Sequence, residues 1–203
     1  MCDDRYRVKD VIRDSFQEYA DEVSLVLFSP LCNLKCPTCS NDSLWTASEP
    51  LLTIEEALER YLTPMTTAVV FLGGEPTVYE EGLVHAMKCA KSEGMKTKLY
   101  TNGLRPDVLA LLLSRGVLDS ASVDVKTLSD THKYLGVDMD DRYLHKVKQS
   151  LSLLKSGNID LEVRTTLFRG IDCDSIREWL EKEGFGKTRY FTQSPLKGTD
   201  INL

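Results

Sequence analysis

Three cysteines fall within eight residues, Cys32-Asn-Leu-Lys-Cys36-Pro-Thr-Cys39, directly after the apolar run Val23 to Phe28. An odd number of thiols cannot pair completely, and so short a loop leaves little of the geometry a disulfide needs. Thiols gathered this closely suit a metal ion or an iron–sulfur cluster. A [4Fe–4S] cube takes four ligands, normally all cysteine, so three cysteines leave one iron open. Two plainer readings stand beside it: a structural zinc completed by a ligand elsewhere, or free thiols on a loop. Zinc sites commonly show paired CxxC spacing or CxxC with HxxxH, and His85, His132 and His145 form no such pair. The remaining cysteines are scattered. Cys89 lies in an apolar helical pattern and reads as core, while Cys2 and Cys173 have no sequence neighbours that would make them ligands.

Four further groups can do chemistry. Gly73-Gly74-Glu75-Pro76 follows a second apolar run. The glycines allow backbone to approach a ligand and the proline stiffens the turn, so exposed carbonyls there can hold an ammonium group; an ordinary strand-to-helix turn also explains them. Asp124 and Lys126 lie two apart on an expected strand and share a face. If that face is interior, the charges need a partner or a ligand; if it is a solvent-exposed strand end, they need neither. Arg164 can clamp a carboxylate bidentately or make a surface ion pair. Thr101-Asn102-Gly103 is a binding loop or a plain turn, Asn-Gly being a strong turn signal.

The elements that position these groups alternate along the chain. Val23 to Phe28 reads as a buried strand, and Thr53-Ile-Glu-Glu56 as a capping box opening a helix to about Leu62, before Pro64. Strands are expected at Ala68 to Leu72, Lys96 to Tyr100, Ser120 to Val125, Leu161 to Leu167 and Arg189 to Gln193. Helices are expected at Glu80 to Glu93, Pro106 to Ser114, Asp141 to Ser156 and Asp174 to Lys182, with a long loop after the fourth strand. About six strand–helix units imply a parallel sheet with right-handed crossovers, short of the eight of a closed barrel. The expected fold is α/β: an open partial (β/α)6 barrel with a mostly parallel sheet. Every polar motif above then falls at one end of that sheet, where such sheets bind ligands.

Composition narrows the function. The chain has 203 residues, 42% of them hydrophobic, enough for one substantial core. Its formal charge of −6, with no polybasic tract, argues against nucleic acid as a partner. No signal-peptide pattern or apolar run of membrane-spanning length is present, so a soluble, cytoplasmic protein is expected, with no membrane partner. Residues 1–22, polar and irregular, are expected to form an N-terminal extension, with residues 23–203 a single domain.

A three-cysteine loop after the first strand, followed by Gly-Gly-Glu-Pro after the second, resembles the radical SAM superfamily. Within it the chain is similar to the activating enzymes of glycyl radical proteins, and most to the short anaerobic ribonucleoside-triphosphate reductase activating proteins. The likeness runs from about Phe16 to Thr199 and includes Thr101-Asn-Gly103, Asp124-Val-Lys126, Glu162-Val-Arg-Thr-Thr166 and Tyr190-Phe-Thr-Gln193. It implies a [4Fe–4S] cluster on Cys32, Cys36 and Cys39, with S-adenosylmethionine on the open iron through its amino and carboxylate groups. One-electron cleavage would then give methionine and a 5′-deoxyadenosyl radical. Gly73, Gly74, Glu75, Thr101, Asn102, Asp124, Lys126, Arg164 and Gln193 are the implied cofactor-binding residues.

The same resemblance implies an oxidoreductase of anaerobic metabolism that makes a glycyl radical on a partner such as anaerobic ribonucleotide reductase. Its electron would come from an external donor such as a flavodoxin or ferredoxin. A small-molecule radical SAM enzyme like 7-carboxy-7-deazaguanine synthase, and a non-catalytic iron–sulfur or zinc module, are the alternatives. Three positions depart from the family. Thr38 stands where an aromatic residue commonly covers the adenine, which leaves stacking to another residue such as Trp45, or makes it weaker. Ser40 stands where histidine is frequent. Tyr100 replaces an acidic residue before Thr-Asn-Gly, which counts against a bound monovalent cation.

Overall fold

The computed structural model describes residues 5–48, 50–139, 142–168 and 170–194. Cys2, the expected helix start at Asp141 and the tail beyond Ser194 lie outside the described residues. Seven strands form one sheet in chain order. They are β1 (Asp10–Ser15), β2 (Ser24–Ser29), β3 (Ala68–Gly73), β4 (Lys96–Thr101), β5 (Ser120–Asp124), β6 (Asp160–Thr166) and β7 (Arg189–Gln193). From β2 to β7 all neighbours are parallel, and the sheet does not close: it is the open, mostly parallel α/β sheet expected.

β1 corrects one reading. It lies within the residues expected to be an irregular extension, yet it pairs antiparallel with β2, Asp10 opposite Phe28 and Ile12 opposite Val26. Its sequence, DVIRDS, is charged, and none of its residues is fully buried, as an edge strand that discourages further pairing should be. The long loop after β5 also holds a short helix, α4 (Thr131–Leu135), between α3 (Pro106–Ser114) and α5 (Arg142–Ser156).

Alternation along each strand sorts the two faces. Leu25, Leu27, Val69, Phe71, Leu99, Val123 and Val163 meet the helices, including α1 (Ile54–Tyr61), α2 (Glu81–Ser92) and α6 (Cys173–Lys182), in one continuous core. Helix α5 contributes Val147, Leu151 and Leu154, the face its sequence spacing sets. The capping box at α1 is formed: the Glu56 N–H donates to the Thr53 hydroxyl and the Thr53 N–H to the Glu56 carboxylate. On the opposite, helix-free face Val26, Ala68 and Val70 gather around Tyr19, which comes from the β1–β2 connection. That connection therefore crosses the inside of the open barrel. Among the described residues no helix is long and apolar enough to cross a membrane.

Candidate active site

A cavity of about 430 Å³ opens where β2 to β7 end, and every residue expected above to hold the cluster or the cofactor lines it, from Cys32 to Gln193. The cysteine loop is pinned at several points. Leu31 adopts a left-handed conformation, φ 68°, and its N–H donates to the Leu44 carbonyl at 2.7 Å. The Lys35 N–H donates to the Leu135 carbonyl at 3.0 Å, which gives α4 its place as a buttress. Cys36 is 9% exposed, and Cys32 and Cys39 are half-buried. Burial pushes the Cys32 thiol up to about 12, with the Glu75 charge adding to it, and burial raises Cys36 as well. Bare thiolates are thus disfavoured in this wall, and a cationic metal group bound there would supply the charge that makes them stable.

The glycine turn is built against the cysteine loop. A Cβ on Gly74 would stand 1.9 Å from the Leu31 carbonyl oxygen, and one on Gly73, at φ +116°, would stand 2.6 Å from the Ser29 backbone. The close approach the glycines permit is therefore to the protein's own first loop. It lets the Gly74 N–H reach the Ser29 carbonyl and the Glu75 N–H reach the Leu31 carbonyl, both at 2.8 Å. The Glu75 side chain, 1% exposed, accepts from the Thr77 N–H (3.2 Å), the Thr77 hydroxyl (2.5 Å), the Thr101 hydroxyl (2.8 Å) and the Asn102 N–H (2.7 Å). Burial raises its pKa while these donors oppose the rise. Thr101 and Asn102 do form a turn, accepting from the Gly103 and Leu104 N–H groups at 3.1 Å. The Asn102 amide also donates to Asn33, inside the cysteine loop, at 2.7 Å. Glu75 and Asn102 thereby join three loops.

Asp124 and Lys126 point the same way and form an ion pair. Burial alone would lower the Lys126 pKa, but Asp124 and Cys36 outweigh it and keep the ammonium charged. Arg164 sits opposite Asp124 in the β5–β6 ladder. Its guanidinium lies 4.9 Å from the Tyr100 ring and 5.6 Å from that of Phe191. Gln193, at the exposed rim, donates to Thr166 at 3.0 Å. Tyr100, the departure noted above, is flanked by Arg164 and by Lys98, whose Nζ is 5.3 Å from the ring. Lys98 in turn pairs with Glu162 at 2.7 Å, the two side chains 1% and 4% exposed.

Several wall residues carried no sequence signal. Gln17 and Glu18 arrive with the β1–β2 connection, and Tyr100 donates to the Glu18 carbonyl at 2.8 Å. Tyr134 and Phe168, ring centroids 5.4 Å apart, line the cavity too. Thr38 and Ser40, the departures noted above, and Trp45, the stacking candidate, are also in its wall. Lys35 lies 4.8 Å from the Trp45 ring.

The cavity fits a polar ligand beside a metal group. Three buried polar atoms on its lining residues have no hydrogen-bond partner within the protein: Asp124 Oδ1, Arg164 Nε and Ser122 Oγ. Such orphans are costly unless a ligand satisfies them. An acceptor, a donor and a hydroxyl beside the Lys126 ammonium and three thiols form a donor set suited to an amino acid carboxylate, a ribose and a cluster.

An open α/β barrel with a ligand cavity and a three-thiol corner at its strand ends defines a class of cofactor-dependent enzyme scaffold. The chain belongs to the Radical SAM superfamily, whose sequence pattern matches residues 26–182. Enzymes of this superfamily use a [4Fe–4S] cluster and S-adenosylmethionine.

Among its relatives is a candidate glycyl-radical enzyme activating enzyme of Methanocaldococcus jannaschii, 30% identical over 78% of this chain and 67% of that protein. Another is the GTP 3′,8-cyclase of Chlorobaculum tepidum, 28% identical over 84% of this chain and 52% of that one. A third, the 7-carboxy-7-deazaguanine synthase of Methanocaldococcus jannaschii, is 26% identical over 61% of this chain and 48% of its own. The chain thus spans from about half to two thirds of these relatives. The fold is shared with anSMEcpe solved with bound AdoMet, at a TM-score of 0.57 and 17% identity over 83% of this chain and 50% of that one.

Proposed function

We propose that this chain activates a glycyl radical protein, an anaerobic ribonucleotide reductase being the partner its sequence fits best. In this reading Cys32, Cys36 and Cys39 hold the [4Fe–4S] cluster. The Gly73–Glu75 turn, Asp124, Lys126 and Arg164 hold S-adenosylmethionine, and Thr101, Asn102 and Gln193 shape the wall beside it. When bound, these cofactors supply one-electron cleavage of a carbon–sulfur bond and, from it, a carbon radical able to take hydrogen from a glycine Cα. The protein's own part is positioning. Lys126 stays protonated and offers positive charge to a carboxylate, Arg164 offers its unpartnered Nε–H, and Asp124 offers a free oxygen to a hydroxyl. Phe28, Leu72 and Leu34 supply apolar wall that keeps water from a reactive centre.

The observation that carries the partner reading is the cavity's size and opening. At about 430 Å³ it is of the class that takes one small ligand, which the cofactor occupies. Beside the lining residue Arg164, 5.6 Å from its guanidinium, stands the exposed Phe191, 42% accessible, as a contact for a segment entering from outside. The relative named for glycyl-radical activation supports the same reading. Besides the cysteine loop, Cys89 and Cys173 are the other free cysteines among the described residues, too scattered for a second cluster. The electron is therefore expected from a separate donor such as a flavodoxin or ferredoxin.

The test is electron paramagnetic resonance on anaerobic ribonucleotide reductase incubated with the cluster-loaded chain, S-adenosylmethionine and reductant. A glycyl radical signal that disappears when the partner's radical glycine is replaced by alanine is expected. Turnover of the cofactor with no radical on any glycyl radical protein from the same cell would overturn the reading and favour a small-molecule substrate.

A further inference from the structure

Helices α1 and α2 pack on the outer layer, away from the strand-end cavity, and three unlike donors meet between them. Glu55 lies in the first turn of α1, while His85 and Cys89 are four apart on α2 and so share a face. His85 Nε2 is 2.7 Å from Glu55 Oε1 and 3.6 Å from Cys89 Sγ, and Cys89 Sγ is 3.9 Å from Glu55 Oε1. Among the described residues this is the group of His, Cys and carboxylate donors whose ligand atoms all fall within 4.8 Å of one another. Cys89, expected in the core from its helical pattern, is instead half-buried at the core's edge with its thiol beside His85.

We infer that Glu55, His85 and Cys89 form a zinc site that ties α1 to α2, separate from the cysteine loop. Metal–ligand lengths of zinc place tetrahedral donors about 3.3–3.6 Å apart, and the three observed separations lie within about 0.6 Å of that range. One thiol, one imidazole and one carboxylate make a borderline-soft set, which favours zinc over magnesium or calcium. The Glu55 and His85 side chains are 59% and 60% exposed, so the ion can enter from solvent and a water can complete its shell. Binding replaces the His85–Glu55 hydrogen bond and releases the Cys89 proton to solvent, with no change in oxidation state. Because only the folded chain brings the three donors together, zinc stabilises it: at a hundredfold excess over the dissociation constant, the folded-to-unfolded ratio rises about a hundredfold.

The experiment uses cluster-loaded protein, so that Cys32, Cys36 and Cys39 are occupied by iron. After washing with a chelator, one equivalent of zinc is added, unbound metal is removed, and the sample is measured by metal analysis and zinc-edge X-ray absorption. About one zinc per chain is expected, with a single sulfur and the rest nitrogen or oxygen. His85→Ala and Cys89→Ser should each weaken zinc binding by more than the 10–100-fold typical of losing an outer-shell partner, leaving iron content unchanged. No retained zinc in the native protein, a shell of two or three sulfurs, or native-level zinc retention by either variant would overturn the assignment.

Discussion

Replacing Glu75 with glutamine removes one acceptor from the point where three loops meet. The native carboxylate takes three hydrogen bonds on Oε1, from the Thr77 N–H, the Thr77 hydroxyl and the Thr101 hydroxyl, and one on Oε2 from the Asn102 N–H. A glutamine must put its NH2 at one of those positions. At Oε2 it faces the Asn102 N–H donor to donor; at Oε1 it faces the Thr77 N–H. Either way a buried backbone donor loses its partner, at about 1–3 kcal/mol, and the remaining bonds lose their charge assistance. The neutral amide is easier to bury than the carboxylate, which returns part of that cost.

We expect a net loss of about 2–4 kcal/mol in urea unfolding at pH 7. For a chain of this length that lowers Tm by roughly 5–15 °C. Amide exchange at Asn102 should quicken more than exchange in the β2–β3 ladder. Thr101→Val should also cost less in the glutamine background than in the native one, since the two changes share a bond. A stability change under about 0.5 kcal/mol, within the range of ordinary surface substitutions, would refute this view of Glu75.

Gly74→Ala forces a Cβ into the Leu31 carbonyl and weakens two backbone hydrogen bonds, so a loss of about 3–5 kcal/mol and reduced iron incorporation are expected by urea unfolding and iron analysis; near-native values would show that the turn relaxes freely. Arg164→Lys removes the unpartnered Nε–H, and S-adenosylmethionine binding to cluster-loaded protein, followed by calorimetry, should weaken by about 10–100-fold without loss of fold; an unchanged dissociation constant would separate Arg164 from the cofactor. Arg105 holds Asp107 below the usual carboxylate range through hydrogen bonds. The stability this gives is present above the unfolded carboxyl pKa, about 3.9, and fades as pH falls through the lower folded value. Urea midpoints of native and Asp107→Asn protein should therefore differ at pH 7 and converge in strong acid, and an equal gap at both would argue against the pair.

Much of the fold was legible because its six parallel strands are short runs of strand-favouring residues set between helices marked by start or stop residues such as Pro106, Gly94 and Gly116. Thr53 and Glu56 announce α1 before any contact is known. β1 was not legible because an exposed edge strand has no apolar alternation to read, and its pairing with β2 is a tertiary fact. The members of the candidate site could be read for a related reason: a parallel sheet brings the ends of all its strands together, so the distinctive residues after each strand line one cavity. Their couplings could not. Nothing local links Glu75 to Asn102, 27 residues on, or Asn33 to Asn102 across 69. Nor does the sequence say that Tyr100 stands between Lys98 and Arg164, or that Gln17 and Glu18 cross the barrel to reach the wall.

In the proposed function, the three-cysteine corner holds a cluster that cleaves S-adenosylmethionine. The direct measurement is anaerobic: load the protein with iron and sulfide, reduce it, add S-adenosylmethionine, and quantify 5′-deoxyadenosine beside a Cys36→Ala control. The nucleoside is expected from the native protein, with none above background from the variant. A loaded, reduced protein that yields no 5′-deoxyadenosine, or equal amounts from both proteins, would contradict it.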